Sequence, residues 1–214
     1  MELILKEKKA VIFDMDGVLV GSDKFWKQAE YEIFSALGVL VKDEWSTLTQ
    51  SMTTKEVTEF WYQKFPWKKK SLKDVEESVV YRVMELIGNS DCCTPGIRTF
   101  IQALKKQQLK IGLATNSPQI IIPVVLEKTN TTYLFDVISS ADAEIYGKPD
   151  PSIYLTTARK LNVAPEHCLV IEDSDSGIEA AKRAGMTVVW FSNGCNSNLS
   201  EIADYTLHNF ETNF

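Results

Sequence analysis

The sequence predicts an α/β protein: a parallel sheet covered by helices on both faces, with a helical domain inserted near its start. Three observations carry this. Five short apolar runs recur along the 214 residues, unbroken rather than alternating, as in strands buried on both faces. Helical patterns separate the later runs, and strands alternating with helices imply right-handed crossovers and a parallel sheet. The interval between the first two runs is far longer than one crossover helix needs and holds helical patterns only.

The first strand is read at Lys9 to Asp14, an apolar run ending on an acid. Within the interval that follows, Lys24 to Leu37, Thr54 to Phe65 and Leu72 to Ile87 read as helices, punctuated by Gly38, Pro66 and Gly88. Residues 22–91 are therefore expected to form the inserted domain, and residues 1–21 with 92–214 the core. Thr94-Pro95-Gly96 is expected to open a core helix, with Thr94 as N-cap and Pro95 at the first helical position. Further strands are read at Leu109 to Ala114, Asp136 to Ser139, Cys168 to Ile171 and Thr187 to Phe191. Ser117-Pro118 and Lys148-Pro149 open helices between them. Asp175 to Ala184 is amphipathic and stops at Gly185, a good residue to end a helix.

Composition narrows the function. The chain is 44% apolar and 24% charged, the balance of a globular domain. No apolar run approaches the ~20 residues of a membrane span, and the N-terminal residues lack the pattern of a secretory signal. The net charge of -6, without a basic stripe, argues against nucleic acid as a partner. No membrane contact and no obligate protein partner are expected. The four cysteines, Cys92, Cys93, Cys168 and Cys195, form no C-x-x-C pair and are read as reduced thiols in a cytoplasmic protein. With two histidines, His167 and His208, a His-rich zinc site is not expected. Lys68-Lys69-Lys70 is read as a solvated turn.

In an open parallel sheet, ligands sit beyond the carboxyl ends of the strands, and here those ends carry functional side chains. The first strand runs into Asp14-Met15-Asp16-Gly17, the second into Thr115-Asn116-Ser117 and the fourth into Glu172-Asp173-Ser174-Asp175, while a loop supplies Gly147-Lys148-Pro149-Asp150. Clustered carboxylates repel unless protons or a cation relieve them. A hard, oxygen-preferring cation is the economical solution, and Mg²⁺ commonly accompanies phosphate chemistry.

Phe13-Asp14-Met15-Asp16-Gly17-Val18, Thr115-Asn116-Ser117, Lys148-Pro149 and Ile171-Glu172-Asp173-Ser174 through Gly177 resemble, in order, the four motifs of the haloacid dehalogenase-like hydrolase superfamily. Within it, the chain resembles the sugar-phosphate phosphatases, such as hexitol and 2-deoxyglucose 6-phosphate phosphatases, and the β-phosphoglucomutases. The resemblance implies a Rossmann-like core with an inserted α-helical cap domain, and a Mg²⁺-dependent phosphatase acting on a small phosphorylated metabolite, a sugar or polyol phosphate. It implies Asp14 as the nucleophile that forms an aspartyl-phosphate and also binds Mg²⁺, and Asp16 as general acid–base with its backbone carbonyl on the metal. It further implies Asp173 as a metal ligand, Glu172 as one directly or through water, and Thr115, Asn116 and Lys148 on the transferring phosphate. A phosphosugar mutase and a non-catalytic phosphometabolite-binding protein are the alternatives.

The bland readings differ from site to site. Thr115, Asn116 and Ser117 also suit a helix cap, a role compatible with anion binding. Asp175 is read as capping or orienting. Trp26, Trp61, Tyr62 and Trp67 are read as packing within the inserted domain rather than as a sugar platform. Two departures from the relatives stand out. Gly21 replaces an acid after the first motif, and Ser51-Met52-Thr53-Thr54 stands where relatives carry a Gly and a nearby Arg. Pro118 also stands where the mutases carry a Lys that helps hold the second phosphate.

Overall fold

The computed structural model describes residues 2–41, 48–49, 52–193 and 201–211. Ser51 and Cys195, which figure in the sequence reading, lie outside them. The chain divides into two compact units, residues 1–21 with 93–214, and residues 22–92.

The larger unit opens with a short helix, α1 (Glu2–Leu5), before strand β1 (Ala10–Phe13). The sheet is all parallel, in the order β3-β2-β1-β4-β5-β6. Its other strands are β2 (Lys110–Thr115), β3 (Val137–Ser140), β4 (Cys168–Glu172), β5 (Thr187–Phe191) and β6 (Tyr205–Leu207). β1 is central, with Phe13 in register with Leu113 on one side and Ile171 on the other. This places the ends of β1, β2 and β4 side by side.

Period-two alternation sends β1 side chains to two cores. Ala10 and Ile12 join a cluster with Ile153, Tyr154, Ala158, Val170 and Ile178. Phe13 meets Phe100 and Phe135 edge-on at centroid distances of 6.2 and 6.3 Å. The further α-helices of this unit are Ile97–Lys106, Ile122–Lys128, Ser152–Leu161 and Asp175–Arg183.

Three helix starts read from the sequence need correction. Lys148-Pro149 opens no helix: the chain turns there and the helix begins at Ser152, after Pro151. Thr94 does not cap a helix: Pro95-Gly96 forms a turn, Ile97 N–H reaches the Thr94 carbonyl at 3.3 Å, and the helix begins at Ile97. Ser117 does not cap one either; the chain first makes a 3-10 turn at Gln119–Ile121, whose first N–H is taken by Asp142 at 2.7 Å. The sixth strand, three residues with two exposed side chains, is too short to give a periodic signal.

The smaller unit is helical, with α2 (Asp23–Ala36), α3 (Thr54–Lys64) and α4 (Leu72–Asn89), α2 and α3 both packing on α4. Thr53 and Ser71 open α3 and α4 in complete capping boxes with Glu56 and Asp74. Its core joins Val75, Val79 and Val83 to an aromatic cluster in which Phe34 lies 6.0 Å from both Trp61 and Trp67. Trp61 and Trp67 are therefore packing residues, and Tyr62, though exposed, sets its ring edge-on to Trp67 at 4.9 Å. Lys68, Lys69 and Lys70 are exposed, as expected for a solvated turn.

Glu30 on α2 is partly buried. Burial pushes its carboxyl up from an ordinary 4.5 to about 7, with Lys27 pulling the other way. A raised acid favours the fold at low pH, and that contribution fades as pH climbs through about 7. Glu30→Gln is thus expected to stabilise the protein by about 1–3 kcal/mol at pH 8 and to change nothing at pH 4. Thermal unfolding of both proteins at the two pH values checks this; an equal gain at both would refute it.

Candidate active site

β1 delivers Asp14 at its carboxyl end, where the Asp14 N–H donates to the Ile171 carbonyl of β4 at 3.0 Å. The chain then reverses, with Leu19 N–H returning to Met15 O at 2.8 Å and Gly17 N–H to Val20 O at 2.7 Å. Gly17 has φ +77° and lies against the Asp173 carboxylate, so a Cβ there would overlap it. The local turn therefore brings the first motif against the acid that follows β4.

Lys148, 5% exposed, reaches back over the strand ends. Its Nζ donates to Asp14 Oδ1 at 2.5 Å, Glu172 Oε1 at 2.6 Å and the Ala114 carbonyl at 3.0 Å, which engages all three ammonium protons. Burial acts to lower the lysine's pKa, but the two carboxylates outweigh it and hold it well above its usual range.

Glu172 is fully enclosed. Its Oε1 also accepts from Tyr154 Oη at 2.8 Å, while Oε2 accepts from the N–H groups of Asp173 and Ser174 at 3.0 and 3.1 Å and from Ser174 Oγ at 3.0 Å. Burial acts to raise Glu172, yet Lys148 and these donors hold it below its usual range. Gly177 lies so close that a Cβ there would overlap the Glu172 carboxylate. Ser174, not Asp175, caps the next helix by accepting from Gly177 N–H at 3.1 Å.

The second motif divides its labour. The Asn116 side chain grips the Lys148 backbone, accepting its N–H at 2.9 Å and donating to its carbonyl at 3.4 Å. Thr115 and Ser117 both turn to Asp16, donating to Oδ2 at 3.4 and 2.6 Å. All seven residues singled out from the sequence thus lie in one set at the strand ends, Asp16 and Thr115 bonded to each other and the other five joined through Lys148 and Glu172. Two members of it were not legible beforehand. Tyr154 carried no motif, being one apolar-face residue of a helix. Ser117 was visible as a hydroxyl after Thr-Asn, but a helix cap explained it equally well.

One carboxylate oxygen each from Asp14, Glu172 and Asp173 lie within 4.8 Å of one another. Burial pushes Asp14 up to about 8 against the pull of Lys148, with the charges of Glu172 and Asp16 adding to the rise. Among the described residues the strand ends gather the carboxylates of Asp14, Asp16, Glu172 and Asp173 with Lys148 as the paired cation, and every donor atom is a hard oxygen. The set fits a divalent cation such as Mg²⁺, which would offset the excess charge. Asp14 and Asp173 suit direct coordination, whereas the five donors around Glu172 suit a contact through water.

Comparison with known proteins shows the family. The pattern of the haloacid dehalogenase-like hydrolases matches residues 8–185. Hexitol phosphatase B of Escherichia coli (strain K12) is 36% identical over 179 residues, covering 83% of this chain and 80% of that protein. The beta-phosphoglucomutase of Bacillus subtilis (strain 168) is 28% identical over 192 residues, 87% and 84% of the two chains. A crystal structure of CbbY from Rhodobacter sphaeroides, in complex with phosphate, superposes with a TM-score of 0.83 at 26% identity over 95% of each chain. Among the described residues no helix is long and apolar enough to cross a membrane. With the matched stretch running from just before β1 to just past the helix that follows β4, the protein belongs to the haloacid dehalogenase-like hydrolases.

Proposed function

We propose that the protein is a Mg²⁺-dependent phosphatase for a small phosphorylated sugar or polyol, with residues 22–91 as the cap domain. The observation that carries this reading is the buried Asp14, fixed by Lys148 and flanked by an Asp16 that two hydroxyls orient. Such a pair suits a nucleophile and a general acid–base on one phosphoryl group. The kinship with hexitol phosphatase B supports the substrate class.

Asp14 and Asp173, the Asp16 backbone carbonyl and, through water, Glu172 would hold the metal, which when bound supplies positive charge to the transferring phosphoryl group. An Asp14 carboxylate oxygen attacks phosphorus and the bond to the sugar oxygen breaks. Asp16 gives its proton to that leaving oxygen, and aspartyl-phosphate remains. Water then attacks phosphorus, Asp16 takes its proton, and the bond to Asp14 breaks to release phosphate. Lys148 holds Asp14 in place and offsets its charge, Thr115 turns its hydroxyl from Asp16 to a phosphoryl oxygen when substrate binds, and Asn116 fixes the Lys148 backbone while offering its own N–H.

A mutase must also hold a second phosphate. Thr53 stands in the stretch where the mutases carry an Arg, and its hydroxyl is engaged with Glu56 at 2.9 Å. A hydroxyl does not replace the bidentate grip of an Arg. We therefore favour hydrolysis over isomerisation.

The test is a panel of sugar and polyol phosphates with Mg²⁺, following free phosphate and isomerised sugar phosphate together. Release of phosphate that EDTA abolishes is expected; no release from any ester would overturn the reading, and faster isomerisation than release would favour the mutase. Asp16→Asn is expected to slow hydrolysis of a sugar phosphate by ~10²–10⁴-fold, with little change in Mg²⁺ affinity because the backbone carbonyl is retained. Calorimetric titration with Mg²⁺ beside the rate measurement checks both halves.

A further inference from the structure

We propose that Ser117 is the positioning residue for the acid–base carboxylate, fixing which oxygen of Asp16 carries the catalytic proton. The inference rests on the phosphatase reading and goes one step deeper into the same site.

Ser117 Oγ donates to Asp16 Oδ2 at 2.6 Å, the shorter of the two hydroxyl contacts to that atom, and Ser117 is 7% exposed. An oxygen that accepts a short hydrogen bond from a buried hydroxyl is a poor place for a second proton. The proton that Asp16 gives and takes therefore resides on Oδ1, and the carboxylate plane is held by its other edge.

The serine's backbone is itself held from both sides. Ser117 N–H donates to Thr115 Oγ1 at 3.1 Å, and Ser140 Oγ donates to the Ser117 carbonyl at 2.7 Å. Ser140 ends β3 in register with Thr115, is 6% exposed, and accepts from Asp142 N–H at 3.1 Å. The ends of two neighbouring strands thus lock the serine, and the serine locks the acid. Its side chain makes this contact in place of the helix cap that the sequence suggested.

A positioning role separates from a merely structural one by the leaving group. A sugar alkoxide must be protonated as it departs; 4-nitrophenolate departs as an anion without help. kcat/KM reports the first phosphoryl transfer alone, because release of the alcohol or phenol is irreversible under initial-rate conditions. Ser117→Ala is expected to lower kcat/KM for a sugar phosphate by about 10-fold or more, and for 4-nitrophenyl phosphate by at least about fivefold less than that. In an Asp16→Asn background the same substitution is expected to add less than about twofold, because the group it positions is gone. Thermal unfolding identifies a variant that has lost its fold, in which case both esters suffer alike.

An equal fall on both esters, no fall on either, or full additivity with Asp16→Asn would each overturn the inference while leaving the phosphatase reading intact. A wild-type protein that hydrolyses neither ester overturns both.

Discussion

Asp14→Asn is expected to reduce turnover by about 10⁴-fold or more while leaving the unfolding temperature close to that of the wild type. The two halves of this expectation come from different properties of the side chain. An amide oxygen is a feeble nucleophile and a weak ligand for a hard cation, so the chemistry is lost. The amide is almost the same size as the carboxyl group, and its oxygen still accepts from Lys148 Nζ where Oδ1 does now. The neutral form is also the one that burial favours at this position, since the carboxyl is pushed up to about 8. Neutralising Asp14 therefore asks little of the fold. Rate measurements on protein whose mass has been checked, so that deamidation back to Asp is excluded, decide the matter. Hydrolysis within tenfold of wild type would remove Asp14 from the role of nucleophile.

The contrast between what the sequence discloses and what it hides follows the physics of each element. β1 was legible because Ala10 to Phe13 is buried at every residue, which leaves an unbroken apolar run. The helices Thr54–Lys64 and Leu72–Asn89 were legible from their helical pattern between Gly38, Pro66 and Gly88, and their starts are fixed by the capping boxes of Thr53 and Ser71, which that reading did not use. Gly17 and Gly177 could be placed in motifs, but the reason for each is a carboxylate from another segment, Asp173 and Glu172, pressing on its backbone. Tyr154 is the clearest omission. Its hydroxyl serves Glu172, eighteen positions on in the chain, and its ring lies 4.9 Å from Lys148 Nζ. Neither contact leaves a local pattern, because both are made by folding rather than by spacing. The same holds for Asn116, whose amide reads as a phosphate ligand in sequence and engages the Lys148 backbone in space.

Lys148→Met is expected to have the largest effect on stability, and the dependence of that effect on pH tests the electrostatics of the whole site. The lysine, Asp14 and Glu172 have side chains only 3%, 9% and 0% exposed. Methionine fills much the same volume, so the loss is one of charge rather than of packing. Removing one partner of a buried ion pair costs about 3–5 kcal/mol when the other charge is left uncompensated. Two carboxylates are left here, and Glu172 keeps Tyr154 and its backbone donors while Asp14 loses its bonded cation. Lys148 is what pulls both carboxyls downward, so in the variant both rise further. An acid raised in the folded state contributes stability at low pH and loses it as pH climbs through the raised value. The deficit relative to wild type should accordingly be smallest near pH 5, where Asp14 is protonated in both proteins and Glu172, raised in the variant, takes up a proton as the pH falls. It should widen toward pH 8, where Glu172 is ionised without its lysine. Millimolar Mg²⁺ should narrow it again at pH 8, because a divalent cation on Asp14 and Asp173 takes over part of the lysine's charge. Denaturant unfolding of both proteins at the two pH values, with and without Mg²⁺, gives the answer. A deficit that is the same at pH 5 and pH 8 would mean that the lysine contributes packing alone, and that the excess of buried negative charge, from which the metal site was inferred, does not act on the fold.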